Sequence, residues 1–236
     1  MKYISGIRPT GRLHLGNYIG SILPAIKYDS DVLIAELHAP EGDAQALFDD
    51  LKKYFSGTRL IRQKYEFRPE IYFKLLQVTP TGLLKHMPQY KEKDKNALMF
   101  TYPVLMAHDI VGYDKVIVGD DQKPHIELAK DILHKIGETC PEPIYEGGRV
   151  MDLRHPDRKM SKSTPESCLF LDDSEETIRK KVKAAVTTPE GRANLEFIFN
   201  ALDDCGCFGP PELNSDLKTA LADLIIRRLN EHRKSN

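Results

Sequence analysis

Three short stretches carry side chains that could do chemistry on a bound ligand. HLGN at 14–17, inside PTGRLHLGN, sets a histidine directly ahead of a glycine. Small Gly11 and Gly16 let a phosphate or an adenine approach the backbone, and a helix starting there offers free N–H groups to an anion. VGDDQ at 118–122 follows an apolar run with two carboxylates and a carboxamide. KMSKS at 159–163 brings two lysines and two serine hydroxyls into one compact loop. Singly these are weak signals: a histidine beside glycine is an ordinary turn, and acidic or lysine–serine loops are usually just solvated. Their joint presence, in this order, is much more specific than any one of them.

Such residues need elements to position them. KYISGI reads as a first strand, followed by a glycine-bounded loop and a helix from about Asn17 to Tyr28. The continuous apolar run DVLIAEL (31–37) predicts a buried strand. From Asp43, the residues Leu47, Phe48, Leu51, Tyr54 and Phe55 share one helical face, which Gly57 closes. EIYFKLLQV and DKVIVG (114–119) read as further strands, and Lys123 to Ile136 as a helix stopped by Gly137. After Pro141 come loops with a short strand, GGRVMDL. Two closing helices follow, Glu175 to Val186 and Leu213 to about Arg233, the second with Leu217, Leu221, Leu224 and Ile225 at helical spacing. The alternation predicts an α/β protein with a mainly parallel sheet. In such sheets ligands lie outside the carboxyl ends of the strands, where VGDDQ falls.

Composition narrows the class. The 236 residues, 41% hydrophobic and 29% charged, suit one large domain or a domain with a small appendage, for which the residues after about Ala185 are the best candidate. A net charge of −1 excludes a uniformly basic nucleic-acid binder while leaving room for local patches. No apolar run approaches the roughly 20 residues a membrane span needs, and MKYISGIRPTG reaches a turn too early for a secretory signal. Cys140, Cys168, Cys205 and Cys207 are too scattered for a disulfide framework. No His/Cys pair stands at zinc-finger distance from CGC, so reduced thiols are expected and no protein-held metal.

With these stretches in view, the chain resembles the class I aminoacyl-tRNA synthetases, and within them the tryptophanyl-tRNA synthetases. HLGN matches the HIGH-type signature and KMSKS is the second signature letter for letter. SGIRPTGRLHLGNYIG, TYPVLMAHDI, VGDDQKPHIELAKDI and RVMDLRHPDRKMSKS carry the rest, over roughly Met1 to Thr187. The resemblance implies a Rossmann-like, doubly wound catalytic domain over 1–186 that includes the KMSKS loop. It reads 187–236 as a reduced helical segment, a remnant of the anticodon-binding domain. The activity implied is attack of a tryptophan carboxylate on the α-phosphorus of ATP, releasing pyrophosphate, then transfer of the aminoacyl group to tRNA.

Carried over residue by residue, the family pattern makes His14, Asn17, Lys159 and Lys162 catalytic. His14 and Asn17 hold ATP, and the two lysines meet the leaving pyrophosphate. Arg8, Thr10, Gly16 and Ser161 join the ATP contacts, Gly119 and Asp121 take the ribose, and Val150, Met151 and Met160 flank the adenine. Tyr102 and Gln122 bind the substrate's α-ammonium, and Asp109 accepts its side-chain polar hydrogen. Met106, Ile4 and His38 complete the amino-acid pocket. Lys91 or Lys93, in YKEKDK, supplies another phosphate contact or is a solvated charged turn. Mg²⁺ is expected on the phosphates without a protein carboxylate cage. The implied partners are ATP, L-tryptophan, tRNA(Trp) and a second copy in a homodimer, in the cytoplasm, with no membrane and no DNA.

Tryptophan is preferred over tyrosine on one position. Tyrosyl enzymes carry a glutamine three residues before the aspartate, so that two groups reach the phenol hydroxyl. Here that residue is Met106. An indole N–H is only a donor, which one carboxylate satisfies, while methionine packs on the ring. The chain departs from the family in being short, with pruned stretches at about Leu76 to Lys91 and after Ala185, where members have dimer and tRNA-binding helices. Arg8 and Ile4 stand where bacterial members more often have glutamine and an aromatic. The alternatives are a tyrosyl enzyme, a relative that forms an adenylate without charging tRNA, a nucleotidyltransferase of the same superfamily, and a non-enzymatic binding module. The complete KMSKS with TYPVLMAHD counts against the nucleotidyltransferase, and retention of His14, Lys159, Lys162, Asp109 and Gln122 counts against the binding module.

Overall fold

Short apolar runs form the strands of one parallel sheet in the computed structural model, which describes residues 1–55, 59–92, 96–146, 148–203 and 215–233. The strands are β1 Tyr3–Ile7, β2 Asp31–Ile34, β3 Leu60–Arg62, β4 Lys115–Val118 and β5 Glu142–Tyr145, in the order β3-β2-β1-β4-β5. Every pairing is parallel, with Ile4 opposite Asp31 on one side and Val116 on the other. The order reverses between β1 and β4, the switch point of a doubly wound, Rossmann-like sheet. Ile4, Leu33, Ile61 and Val116 on the strands share a core cluster with Leu75, Val104, Ala107, Ile126 and Leu133 on the helices.

The chain divides into two compact units: 1–10, 25–49 and 57–146 hold the sheet, and 11–24, 50–56 and 147–236 form the other. In the second unit, residues 13–15 run antiparallel to 169–171. Leu15 N–H donates to Leu169 O (2.8 Å), Leu171 N–H to Leu13 O (3.0 Å), and His14 bridges Phe170. The helices Glu175–Lys183 and Pro189–Leu202 both pack on Ser215–Arg233.

Several expected elements differ. EIYFKLLQV is not a strand but most of the helix Pro69–Val78, with Pro69 in its first turn and Leu75 fully buried. A continuous apolar run cannot separate buried helix from buried strand. Here Ile71, Tyr72, Leu75, Leu76 and Val78 turn one helical face to the core. GGRVMDL forms no strand in its described residues, only an isolated bridge from Met151 to Lys159; Gly147 lies outside them. The fifth strand is instead EPIY, whose Pro143 sits at the sheet edge where a missing N–H is tolerated. DVLIAEL stops pairing at Ile34 and tightens into a 3₁₀ turn over Glu36–His38.

The helix after HLGN begins at Leu15, not Asn17, and runs on as a π turn over Tyr18–Ile22 and α-helix over Leu23–Lys27. The helix after Asp43 ends at Leu51, short of Tyr54. Among the described residues beyond Ala185 there are two helices, not one. Pro189–Leu202 starts with a Thr188 hydroxyl accepting from Gly191 N–H (3.2 Å) and proline at its first position, a start signal legible in TTPEG. Gly57, Leu213, Cys205 and Cys207 lie outside the described residues. Among the described residues no helix is long and apolar enough to cross a membrane.

Candidate active site

The second unit brings HLGN and KMSKS together. His14 has extended backbone (φ −127°, ψ 169°) and caps the helical run that follows. Its Nδ1 accepts the Gly16 N–H at 3.1 Å, and Asn17 Oδ1 accepts the His14 N–H at 3.1 Å, a reciprocal cap. A Cβ on residue 16 would stand 2.9 Å from His14 Cε1 and 3.0 Å from Nδ1, so glycine is what lets the ring lie there. Burial first, then the ammonium groups of Lys162 and Lys159, push the His14 pKa down to about 4. The ring is therefore neutral near pH 7 and carries its proton on Nε2. It is one hydrogen-bond donor in a field set by both signature lysines.

The KMSKS loop leaves a tight hairpin. Met160 N–H donates to Val150 O (3.0 Å), beside the Met151–Lys159 bridge. Val150 and Met160 are buried, so the side chains expected against adenine are core residues, while Met151 is half-buried. Lys159 is exposed and Lys162 half-buried. The Ser161 and Ser163 hydroxyls bond to each other (3.0 Å). Asn194, a buried residue of the Pro189–Leu202 helix, accepts the Met151 N–H and donates to the Met151 carbonyl, both at 2.9 Å.

The sheet unit gathers the other expected residues. Arg8 and Thr10 follow the carboxyl end of β1; Gly119, Asp121 and Gln122 follow that of β4. Gln122 Nε2 donates to Asp121 Oδ2 (3.0 Å), and the Asp121 carboxylate lies so close to Gly119 that a Cβ there would be 2.7 Å from it. Tyr102, Met106 and Asp109 lie on the helix Ala97–Asp109, at one-turn spacing. The Tyr102 ring stands between His38 (centroids 4.2 Å) and His125 (5.6 Å). Its pKa is raised by burial, lowered by Arg8, and raised again by Asp109 and Asp121, a field shared by the predicted ammonium and side-chain contacts. Ile4 is buried in the β1 core, in the same cluster that Met106 packs against. Lys93 and the Lys91 side chain lie outside the described residues.

Asp109 is a buried carboxylate with its own set of donors. Its side chain is 7% exposed, yet three donors hold it: His38 Nε2 (2.9 Å) and Gln63 Nε2 (2.7 Å) on Oδ2, and His108 Nδ1 (3.1 Å) on Oδ1. Burial alone would raise its pKa; the bonds from His108, His38 and Gln63 hold it below the ordinary carboxylate value. The Arg68 N–H donates to His108 Nε2 (2.9 Å), which puts that ring's proton on Nδ1, facing Asp109. Of roughly four lone-pair positions on a carboxylate, three are filled, leaving one on Oδ1.

Sequence reasoning missed His108, Gln63 and His125. His108 stood in plain view beside Asp109. Gln63 gave no signal, because only the fold makes a glutamine at the end of β3 fully buried. His125, one turn after Gln122, donates from Nε2 to Gln89 Oε1 (2.6 Å), and burial lowers its pKa to about 4.

The family described as "tRNA synthetases class I (W and Y)" matches residues 69–205, more than half of the chain. A tryptophan–tRNA ligase of Synechocystis is 36% identical over 228 residues, covering 80% of this chain and 68% of its own. The crystal structure of a tryptophanyl-tRNA synthetase from Mycoplasma pneumoniae superposes with a TM-score of 0.83 at 26% identity, over 100% of this chain and 88% of that one. A tryptophanyl-tRNA synthetase from Campylobacter jejuni, complexed with ADP and tryptophan, gives 0.70 at 25% identity, over 99% and 88%.

Proposed function

Because the chain belongs to the W and Y family of class I tRNA synthetases, we propose that it activates tryptophan with ATP and transfers it to tRNA. In the first step the tryptophan carboxylate attacks the α-phosphorus of ATP, forming tryptophanyl-adenylate and releasing pyrophosphate. In the second a ribose hydroxyl of the tRNA attacks the acyl carbon and AMP leaves. Neither step needs a protein nucleophile; both need donors placed where phosphate charge builds.

One observation carries the reading: both signatures lie in one compact unit, where the His14 ring accepts the Gly16 N–H on Nδ1, leaving Nε2 as its donor, and lies in the field of Lys162 and Lys159. Those three donors suit a triphosphate. Asn17, whose Oδ1 is spent on the cap, has its amide N–H₂ for the same ligand. Ser161 and the Gly16 backbone border it. Adenine contact falls to Met151 and to the backbone at Val150 and Met160. In the sheet unit, Asp121 and Gly119 serve the ribose, with Arg8 and Thr10 beside the β1 end. Tyr102 and Gln122 take the α-ammonium. The free position on Asp109 Oδ1 takes the indole N–H, with His38 and Met106 against the ring and Ile4 behind them.

Mg²⁺ would arrive on the phosphates and share their charge. The described residues contain no group of three His, Cys, Asp or Glu side chains placed to hold such an ion themselves. A homodimer, a cytoplasmic location and a tRNA-binding role for residues 187–236 belong to the same proposal. The test is ATP–pyrophosphate exchange with each amino acid, alongside acylation of tRNA. Exchange with tryptophan and charging of tRNA(Trp) are expected. Exchange with tyrosine instead, or none with any amino acid, defeats the reading; exchange without charging reduces it to adenylate formation.

A further inference from the structure

Asp152, seven residues before the first lysine of the signature, is a buried carboxylate that no step above uses. It lies on the hairpin that leads into KMSKS, and four donors converge on it. Its Oδ1 accepts the backbone N–H groups of Arg154 (2.8 Å) and His155 (3.0 Å), on the near side of the loop. Its Oδ2 accepts the hydroxyls of Thr164 (2.8 Å) and Ser167 (2.6 Å), on the far side. The two oxygens thus close a ring around residues 154–167, with Lys159 and Lys162 inside it. The main chain adds one more fastening, Asp152 N–H to Arg158 O at 2.9 Å.

We propose that Asp152 is the positioning residue of the KMSKS loop, a clasp whose two oxygens hold the two flanks of the signature and so set where its lysines present their charge. This rests on the reading of the loop as a triphosphate clamp. A lysine is a flexible point charge on a four-carbon stem, so the register of its backbone decides where the ammonium arrives. Donors help a developing charge only if they are in place beforehand. An asparagine can turn its oxygen to the two backbone N–H groups and its amide to the two hydroxyls. Those hydroxyls can then donate elsewhere, Thr164 to Ser161 O (3.2 Å) and Ser167 to Thr164 O (3.4 Å).

The experiment compares wild type with Asp152→Asn and with the double variant Thr164→Val/Ser167→Ala, in three readouts. These are KM for ATP in pyrophosphate exchange, tryptophan affinity at equilibrium, and the rate of tryptic cleavage within 154–163. The double variant is expected to raise KM for ATP roughly tenfold, the scale seen when the groups behind a ligand are removed. Its cleavage should accelerate while tryptophan affinity stays within about twofold. Asp152→Asn, which keeps a bond to each flank but loses the charge assistance, should fall between wild type and the double variant in KM for ATP and in cleavage rate. An unchanged KM for ATP in the double variant overturns the proposal. So does an equal loss of tryptophan affinity, or an Asp152→Asn as impaired as the double. Should the double variant not fold, Ser167→Ala alone reads the same quantities at about a third of the effect. A wild type inert in exchange sinks the ligase reading instead, and the cleavage comparison still decides the clasp.

Discussion

The Gly16 N–H donates to His14 Nδ1 at 3.1 Å, and that bond decides which face of the imidazole is acidic. With Nδ1 accepting, the neutral ring must carry its proton on Nε2. A cap of this kind contributes about 0.5–2 kcal/mol to a helix start; here it also selects a tautomer. Gly16→Ala would drive a Cβ to 2.9 Å from the ring and displace it. We expect exchange activity to fall on the order of 10²-fold, the usual loss for one misplaced donor, with the fold retained by circular dichroism. Activity within threefold of wild type would show that the cap does not orient the ring.

Lys162→Ala should lose on the order of 10²–10³ in exchange rate, by the same reasoning about a donor to phosphate charge, while tryptophan affinity is unchanged. The chain contains no tryptophan, so the ligand's own indole emission reports binding directly. Equal loss of rate and of tryptophan binding would assign the loop a structural role.

Acid should destabilise the protein in a defined window. His14 and His125 are held neutral, both pushed to about 4 from an ordinary 6.5, chiefly by burial. Unfolding restores the ordinary value, so between these limits the unfolded chain binds more protons. Stability from these two groups is complete above about pH 6.5 and declines as pH falls toward 4. Urea midpoints at pH 7, 5.5 and 4.5 should fall in that order, and less steeply in His125→Gln. A midpoint flat across the window would contradict the burial of both rings.

Asp109→Asn replaces an acceptor by a donor against His38 and Gln63, which already donate to Oδ2. Losing charge-assisted bonds of about 1.5–3 kcal/mol should weaken tryptophan binding roughly 10–100-fold, with KM for ATP nearly constant. Fluorescence titration measures the first and exchange the second.

Met106→Gln places a carboxamide one turn before Asp109 on the same helix. A phenol hydroxyl would then find both an acceptor and a second polar group, and tyrosine activation should rise relative to tryptophan. No gain in the tyrosine-to-tryptophan ratio of kcat/KM would remove Met106 as the discriminating position.

The sheet, its parallel sense and both signatures were legible because strand β4 and the glycine-bounded turns speak locally. The helix Pro69–Val78 was not: its apolar residues form an unbroken run, and whether such a run is helix or strand is settled by what packs on it. EPIY was too short and too proline-marked to read as a strand. Of the candidate site residues, His14, Tyr102, Asp109, Lys159 and Lys162 could be named from motif context. Gln63 and Asn194 could not, since their importance is the backbone or carboxylate that the fold brings to them from far along the chain. Thr188-Pro189 was a readable helix start that the expectation of one helix beyond Ala185 passed over.

The paired bonds of Asn194 to the main chain of Met151 have a mechanical consequence. An amide that satisfies both the N–H and the carbonyl of one residue does for it what an adjoining strand would do, and Met151 in turn bridges Lys159. Helix Pro189–Leu202 and the signature hairpin are thereby tied through one carboxamide, at the residue that bridges the first lysine of KMSKS.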